Sequence, residues 1–164
     1  MKRKISMTLV LILAAGLFVG AVAQTPQERL RILIGTWKAT ESSFTDPPQG
    51  ISKVVAAADG HAIYSTLTQG SGDTFYEANA LWGYSETTKQ VKVFEVNTLG
   101  FAGTHVGYFD DSGALILEFR DPETNELLQH RIMTWTADTW KMKARFIIDG
   151  KEINHHYTLI RVKE

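Results

Sequence analysis

The sequence predicts an all-β fold, a single antiparallel up-and-down barrel of about ten strands with a short N-terminal helix. Two observations predict it. Beyond Trp37 the chain alternates short β-rich runs with turn-forming clusters: Asp46-Pro47-Pro48-Gln49-Gly50, Asp59-Gly60, Gly70-Ser71-Gly72-Asp73, Ser85-Glu86-Thr87-Thr88, Asp110-Asp111-Ser112-Gly113, Asp121-Pro122-Glu123-Thr124-Asn125, Ala137-Asp138-Thr139 and Asp149-Gly150. Runs joined in chain order by tight turns form a meander, and closing the meander removes the two edges that would invite aggregation. The chain has no cysteine, which leaves the fold to be held by its core rather than by disulfides.

The N-terminal segment is expected to be a signal peptide spanning residues 1–23. Lys2-Arg3-Lys4 supplies a charged start, Thr8 to Val22 an apolar run, and Ala21-Val22-Ala23 a small-x-small cleavage site. The run is short for a membrane helix of roughly 20 residues and no basic stop-transfer segment follows it. The expectation is therefore a periplasmic or secreted mature chain, residues 24–164, with no membrane span. Removing residues 1–23 takes away three of the 17 basic residues and none of the 18 acidic ones, so the formal charge moves from −1 to −4. A mildly acidic chain with singly scattered Lys and Arg lacks the basic stripe of a nucleic-acid binder.

The helix is expected at Pro26 to Ile34. Thr25 suits the N-cap, Pro26 the first helical position and Glu28 the first turn, while Leu30, Leu33 and Ile34 share one face. Gly35-Thr36-Trp37 then opens the first strand. At the other end of the chain, Asp149-Gly150 suits a two-residue hairpin turn, which pairs Ile148 with Lys151, Phe146 with Ile153, Ala144 with His155, Met142 with Tyr157 and Trp140 with Leu159. Lys141, Lys143 and Arg145 alternate against Trp140, Met142, Ala144 and Phe146, so the second set faces the core. Ile153, His155, Tyr157 and Leu159 then face inward with them, and Arg161 shares their parity. If the turn at Ala137-Asp138-Thr139 pairs Thr136 with Trp140, the preceding strand turns Leu128, His130, Ile132 and Thr134 inward.

Leu33-x-Gly35-x-Trp37, a late inward Arg161, and Gly83-Tyr84 before Val91-Lys92-Val93 resemble the calycin families of secreted bacterial proteins, in particular a lipocalin-like family catalogued as a domain of unknown function. The resemblance covers the chain from about Gln27 onward and implies a lipocalin-like barrel over residues 24–164. It also implies that Trp37 and Arg161 form a structural plug, an arginine from the last strand packed across the N-terminal tryptophan. More distantly, Asn154-His155-His156-Tyr157 followed by Arg161 is similar to the proximal segment of nitrobindin-like haem barrels. That likeness implies, as an alternative, haem as cofactor with His155 as iron ligand. The front of the chain departs from the haem pattern, since Gly-x-Trp runs here into Lys38-Ala39-Thr40-Glu41.

Function follows less directly. The expected role is binding of a small hydrophobic or amphipathic ligand, with His130, Trp140, Met142, His155 and Tyr157 lining the interior and Arg161 as a further inward polar group. No cofactor or metal is expected, because no His-x-His, His-Glu-x-x-His or carboxylate–histidine cluster has ligand spacing. No catalytic residues are assigned: there is no Gly-x-Ser-x-Gly elbow, phosphate loop or dinucleotide fingerprint. An enzyme or a ligandless envelope protein remain the other classes. An enzyme would need an ionisable pair inside one cavity; Glu77, Glu95 and Glu118 lie in strand runs, where a carboxylate ordinarily takes the solvated face. His105 and Glu118 would sit opposite each other if the Asp110-Asp111-Ser112-Gly113 loop has four residues.

Overall fold

The structure is a computed structural model that describes residues 24–163 apart from 44, 46–47, 73–74 and 149. The signal-peptide segment lies outside the described residues, as do Asp46, Pro47, Asp73 and Asp149 of the turn clusters. The chain folds as one short helix, α1 (Pro26–Arg31), and ten strands: β1 (Gly35–Ser42), β2 (Gly50–Ala57), β3 (Ala62–Gln69), β4 (Tyr76–Ser85), β5 (Gln90–Asn97), β6 (Ala102–Phe109), β7 (Leu115–Arg120), β8 (Leu127–Trp135), β9 (Thr139–Ile148) and β10 (Lys151–Arg161). Each strand pairs antiparallel with its sequence neighbours, and β10 returns to β1, closing the barrel. The expected architecture is thus observed. One connection, Thr98–Phe101 between β5 and β6, is not among the clusters read from the sequence. Asn97 organises it by accepting the backbone N–H groups of Leu99 and Phe101 through Oδ1.

Helix α1 starts where the residue chemistry says it should. The Thr25 hydroxyl accepts the N–H of Glu28 and the Glu28 carboxylate accepts the N–H of Thr25, a reciprocal cap with Pro26 just inside. The helix stops at Arg31, three residues before the expected end, because the chain tightens: Leu33 and Ile34 donate to carbonyls only three residues back, Leu30 and Arg31. Gly35 then turns into β1 with φ of +140°, and a Cβ there would strike the Arg161 guanidinium. Leu30 and Leu33 still reach the core. Trp135 Nε1 donates to the Arg29 carbonyl at 3.0 Å, tying the helix to the end of β8. Helix, β1 start and β10 end together seal one end of the barrel.

Register decides what the interior contains. The β9–β10 pairs are those the Asp149-Gly150 turn predicts, from Ile148 opposite Lys151 to Trp140 opposite Leu159. The β8–β9 turn corrects the expectation for β8. Trp135, not Thr136, lies opposite Trp140, and Thr136 N–H donates to the Thr139 carbonyl, so the loop is two residues rather than three. A shift of one residue exchanges the faces of a strand. Gln129, Arg131, Met133 and Trp135 therefore carry the inward parity in place of Leu128, His130, Ile132 and Thr134. A similar slip separates His105 from Glu118. Phe109 pairs with Leu115 across five intervening residues, so Glu118 lies opposite Val106 on the outer face while His105 is fully buried.

Candidate functional site

At the sealed end the aromatic side chains interlock. Trp37, with no exposed surface, donates through Nε1 to the Leu33 carbonyl at 2.7 Å. Its ring meets Trp140 edge-on at 5.9 Å, and Trp140 in turn meets Trp82 and Tyr157 edge-on, each at 6.2 Å. The Arg161 guanidinium lies 4.1 Å from the Trp37 ring centre and donates to the carbonyls of Ile32, Ile34 and Ala137. Charge over a ring face and three carbonyls on one guanidinium leave little freedom at this end.

Above this floor the interior holds two neighbouring spaces. The inner chamber, about 60 Å³, has Trp82, Trp140 and Met142 at its base and Ser52, Gln69 and Tyr157 among its walls. The outer pocket, about 280 Å³, lies at the mouth against Leu99, Phe101, Gln129, Phe146, Ile148 and His155. Tyr76, Arg131 and Phe146 line both spaces. Gly103 makes room at the mouth for aromatic packing: a Cβ there would press on Phe119 and Phe101, whose rings meet edge-on at 4.9 Å.

Where the two spaces meet, the barrel buries an ion pair. Arg131 Nη1 lies 2.6 Å from Glu95 Oε2, with the two side chains only 12% and 5% exposed. Arg131 Nη2 donates to Gln129 Oε1 at 2.8 Å, and the same oxygen lies 3.0 Å from His105 Nε2. Asn97 donates to Glu95 Oε1 at 3.2 Å. Burial alone would raise the Glu95 carboxyl, but the Arg131 charge and hydrogen bond hold it below the ordinary carboxylate value. Burial, then the charge of Arg131, depress His105 to about 4. Burial and then the Glu95 charge push Tyr76 up to about 12, and burial raises Tyr157 as well. At neutral pH the cluster is one anion, one cation and neutral histidine and phenols.

The sequence-predicted site residues divide among these places. Trp140, Met142 and Tyr157 line the inner chamber and His155 the outer pocket. His130 does not join them. Its position opposite Glu118 and Arg145 puts it on the outer face, a consequence of the two-residue β8–β9 loop. Glu95, expected on the solvated face, is instead inside, whereas Glu118 pairs with Arg120 at 2.9 Å on the partly exposed surface. Glu77 accepts from Asn79. Arg131 is the interior residue that the sequence reading missed, and its signal was present: correct parity on β8 would have placed it inside. Among the described residues no three His, Asp or Glu side chains group as a metal site, and no helix is long and apolar enough to cross a membrane.

His155 was the alternative haem ligand. Its Nδ1 lies 3.1 Å from Ser43 Oγ and its ring packs edge-on against Phe146 at 5.5 Å.

No protein-family model and no curated protein matches this sequence. Among solved structures the barrel is similar to the S-type phycobiliprotein lyase CPES of Guillardia theta, with a TM-score of 0.61 over 87% of this chain and 95% of that one. At 11% identity the likeness establishes the fold. The chain is a ten-stranded, closed antiparallel barrel with its helix at one end.

Proposed function

We propose that this barrel is an exported binding protein for a small amphipathic molecule, taken up through the mouth opposite helix α1. The observation that carries this reading is the interior itself: a largely apolar pocket of about 280 Å³ at the mouth that shares Tyr76, Arg131 and Phe146 with an inner chamber of about 60 Å³ lined by apolar side chains and a few polar ones. Together they fall near the lower end of the roughly 300–1,000 Å³ usual for small-molecule sites, which are concave, largely apolar and marked by a few placed polar groups. The similarity to a phycobiliprotein lyase supports a barrel that can serve such a role and leaves the ligand open. Export rests on the basic and apolar composition of residues 1–23.

Native mass spectrometry of protein purified from its own host is expected to show a bound molecule, and N-phenyl-1-naphthylamine, a neutral fluorescent amphipath, is expected to brighten on binding. A consistently empty barrel that does not bind the dye overturns the reading. N-terminal sequencing is expected to begin at Gln24; a retained Met1 would remove the export part alone. Titration with hemin separates this reading from the haem alternative: no His155-dependent Soret band is expected, and a band abolished by His155→Ala would establish haem binding instead.

A further inference from the structure

Buried polar side chains ordinarily find partners, so those that lack one ask for an explanation. In the inner chamber Ser52 Oγ, both polar atoms of the Gln69 amide, Arg131 Nε and Trp140 Nε1 are buried with no partner among the described residues. All four side chains line the same chamber. The other three tryptophans are satisfied: Trp37 by the Leu33 carbonyl, Trp82 by Ser65 Oγ and Trp135 by the Arg29 carbonyl. Trp140 alone among the indoles has an Nε1 with no partner among the described residues, and its side chain lines the chamber.

The set has a definite chemistry. Arg131 Nε, Trp140 Nε1 and the Gln69 amide nitrogen are donors, Gln69 Oε1 is an acceptor, and the Ser52 hydroxyl serves either way. Formal charge is already balanced, since Arg131 and Glu95 pair at 2.6 Å. A further anion would face the Glu95 carboxylate and a further cation the Arg131 guanidinium, each buried without a counter-charge of its own. Size sets the last limit. One water requires roughly 10–15 Å³ measured this way, so about 60 Å³ admits a group of a few heavy atoms and not an entire amphipath.

We propose that the inner chamber is a recognition subsite for an uncharged carboxamide or kindred carbonyl head group, inserted head-first with its apolar body in the outer pocket. The carbonyl oxygen accepts from Trp140 Nε1 and Arg131 Nε, and an amide N–H donates to Gln69 Oε1. Phe101, Phe146 and Ile148 hold the chain at the mouth. This assignment rests on the ligand-binding reading above and names the class of molecule that reading leaves open.

The test compares octanamide, octanoate and octylammonium, which share one apolar body, by calorimetry and by the four indole N–H resonances of ¹⁵N-labelled protein. Octanamide is expected to bind at least tenfold more tightly than either ion and to move the Trp140 indole resonance more than the other three. Trp140→Phe is expected to weaken octanamide roughly tenfold; the wild-type indole shift decides the matter if that variant does not fold. Equal or tighter binding of octanoate or octylammonium overturns the proposal, as does octanamide binding with an unmoved Trp140 indole, which would mean that the chamber takes water only. If the dye binds and no octyl compound is preferred, this inference falls and the binding reading stands. If neither dye nor octyl compound binds, both fall.

Discussion

Placing an arginine and a glutamate inside a small barrel costs several kcal/mol of desolvation per ion, offset only when charge and hydrogen bonds are both satisfied. Glu95 and Arg131 meet that condition through each other, Asn97 and Gln129. Removing one partner leaves the other charge stranded, so Arg131→Met is expected to destabilise by about 3–5 kcal/mol in urea unfolding. Adding Glu95→Leu should recover much of that loss, and a double variant as unstable as the sum of the singles would show that the pair is not coupled. His105 gives the cluster a pH dependence. The groups around it are Phe101, Phe119, Gln129, Arg131 and Glu95. Its folded value of about 4 lies below the ordinary 6.5, so the unfolded chain takes up the proton first as pH falls. Stability is therefore complete above pH 6.5 and declines toward pH 4, by about 2 kcal/mol at pH 5 and roughly 3 kcal/mol in full. Glu95, held below its usual value, adds a loss of the same sign below about pH 4.5. His105→Gln is expected to flatten the fall in Tm between pH 7 and 5; an unchanged slope would assign that fall to other groups.

At the scale of elements, what could be read depended on whether a turn declares its own length. Asp149-Gly150 does, because Asp-Gly favours a two-residue hairpin, and ten residue pairs of β9 and β10 followed from it. Ala137-Asp138-Thr139 does not: nothing in the residue types says whether Thr139 belongs to loop or strand, and that one residue sends His130 outside and Arg131 inside. The hydrophobic pattern of β8 could not correct the error. Its inward face carries Gln129 and Arg131 while its outward face carries Ile132, the reverse of ordinary alternation. Such inversions are expected where an interior has been given over to polar recognition instead of packing. The helix cap was legible because Thr25, Pro26 and Glu28 act locally, whereas the Glu95–Arg131 contact joins strands 36 residues apart and has no local signature.

At the scale of the whole molecule the barrel divides its tasks between two ends. The end under α1 carries the constraints: Gly35 at φ +140°, the Arg161 guanidinium over Trp37, and the capped helix start. The mouth carries exposed apolar side chains, among them Leu99 at 78% exposure on the rim of the outer pocket. Stability and binding should therefore separate by end. Gly35→Ala forces a side chain into an unfavourable backbone region and against Arg161, at a cost of about 1–3 kcal/mol. Thr25→Ala removes a cap worth about 1 kcal/mol. Both are expected to lower Tm by several degrees and leave N-phenyl-1-naphthylamine affinity within a factor of two. Leu99→Ser gives up no buried packing, so stability should hold within about 0.5 kcal/mol, while dye affinity falls several-fold. Thermal unfolding and dye titration on the same three variants measure both quantities. A Leu99→Ser protein with unaltered affinity would place the binding surface away from the mouth, and a Gly35→Ala protein that loses the dye while still folded would mean that the sealed end shapes the chamber as well as closing it.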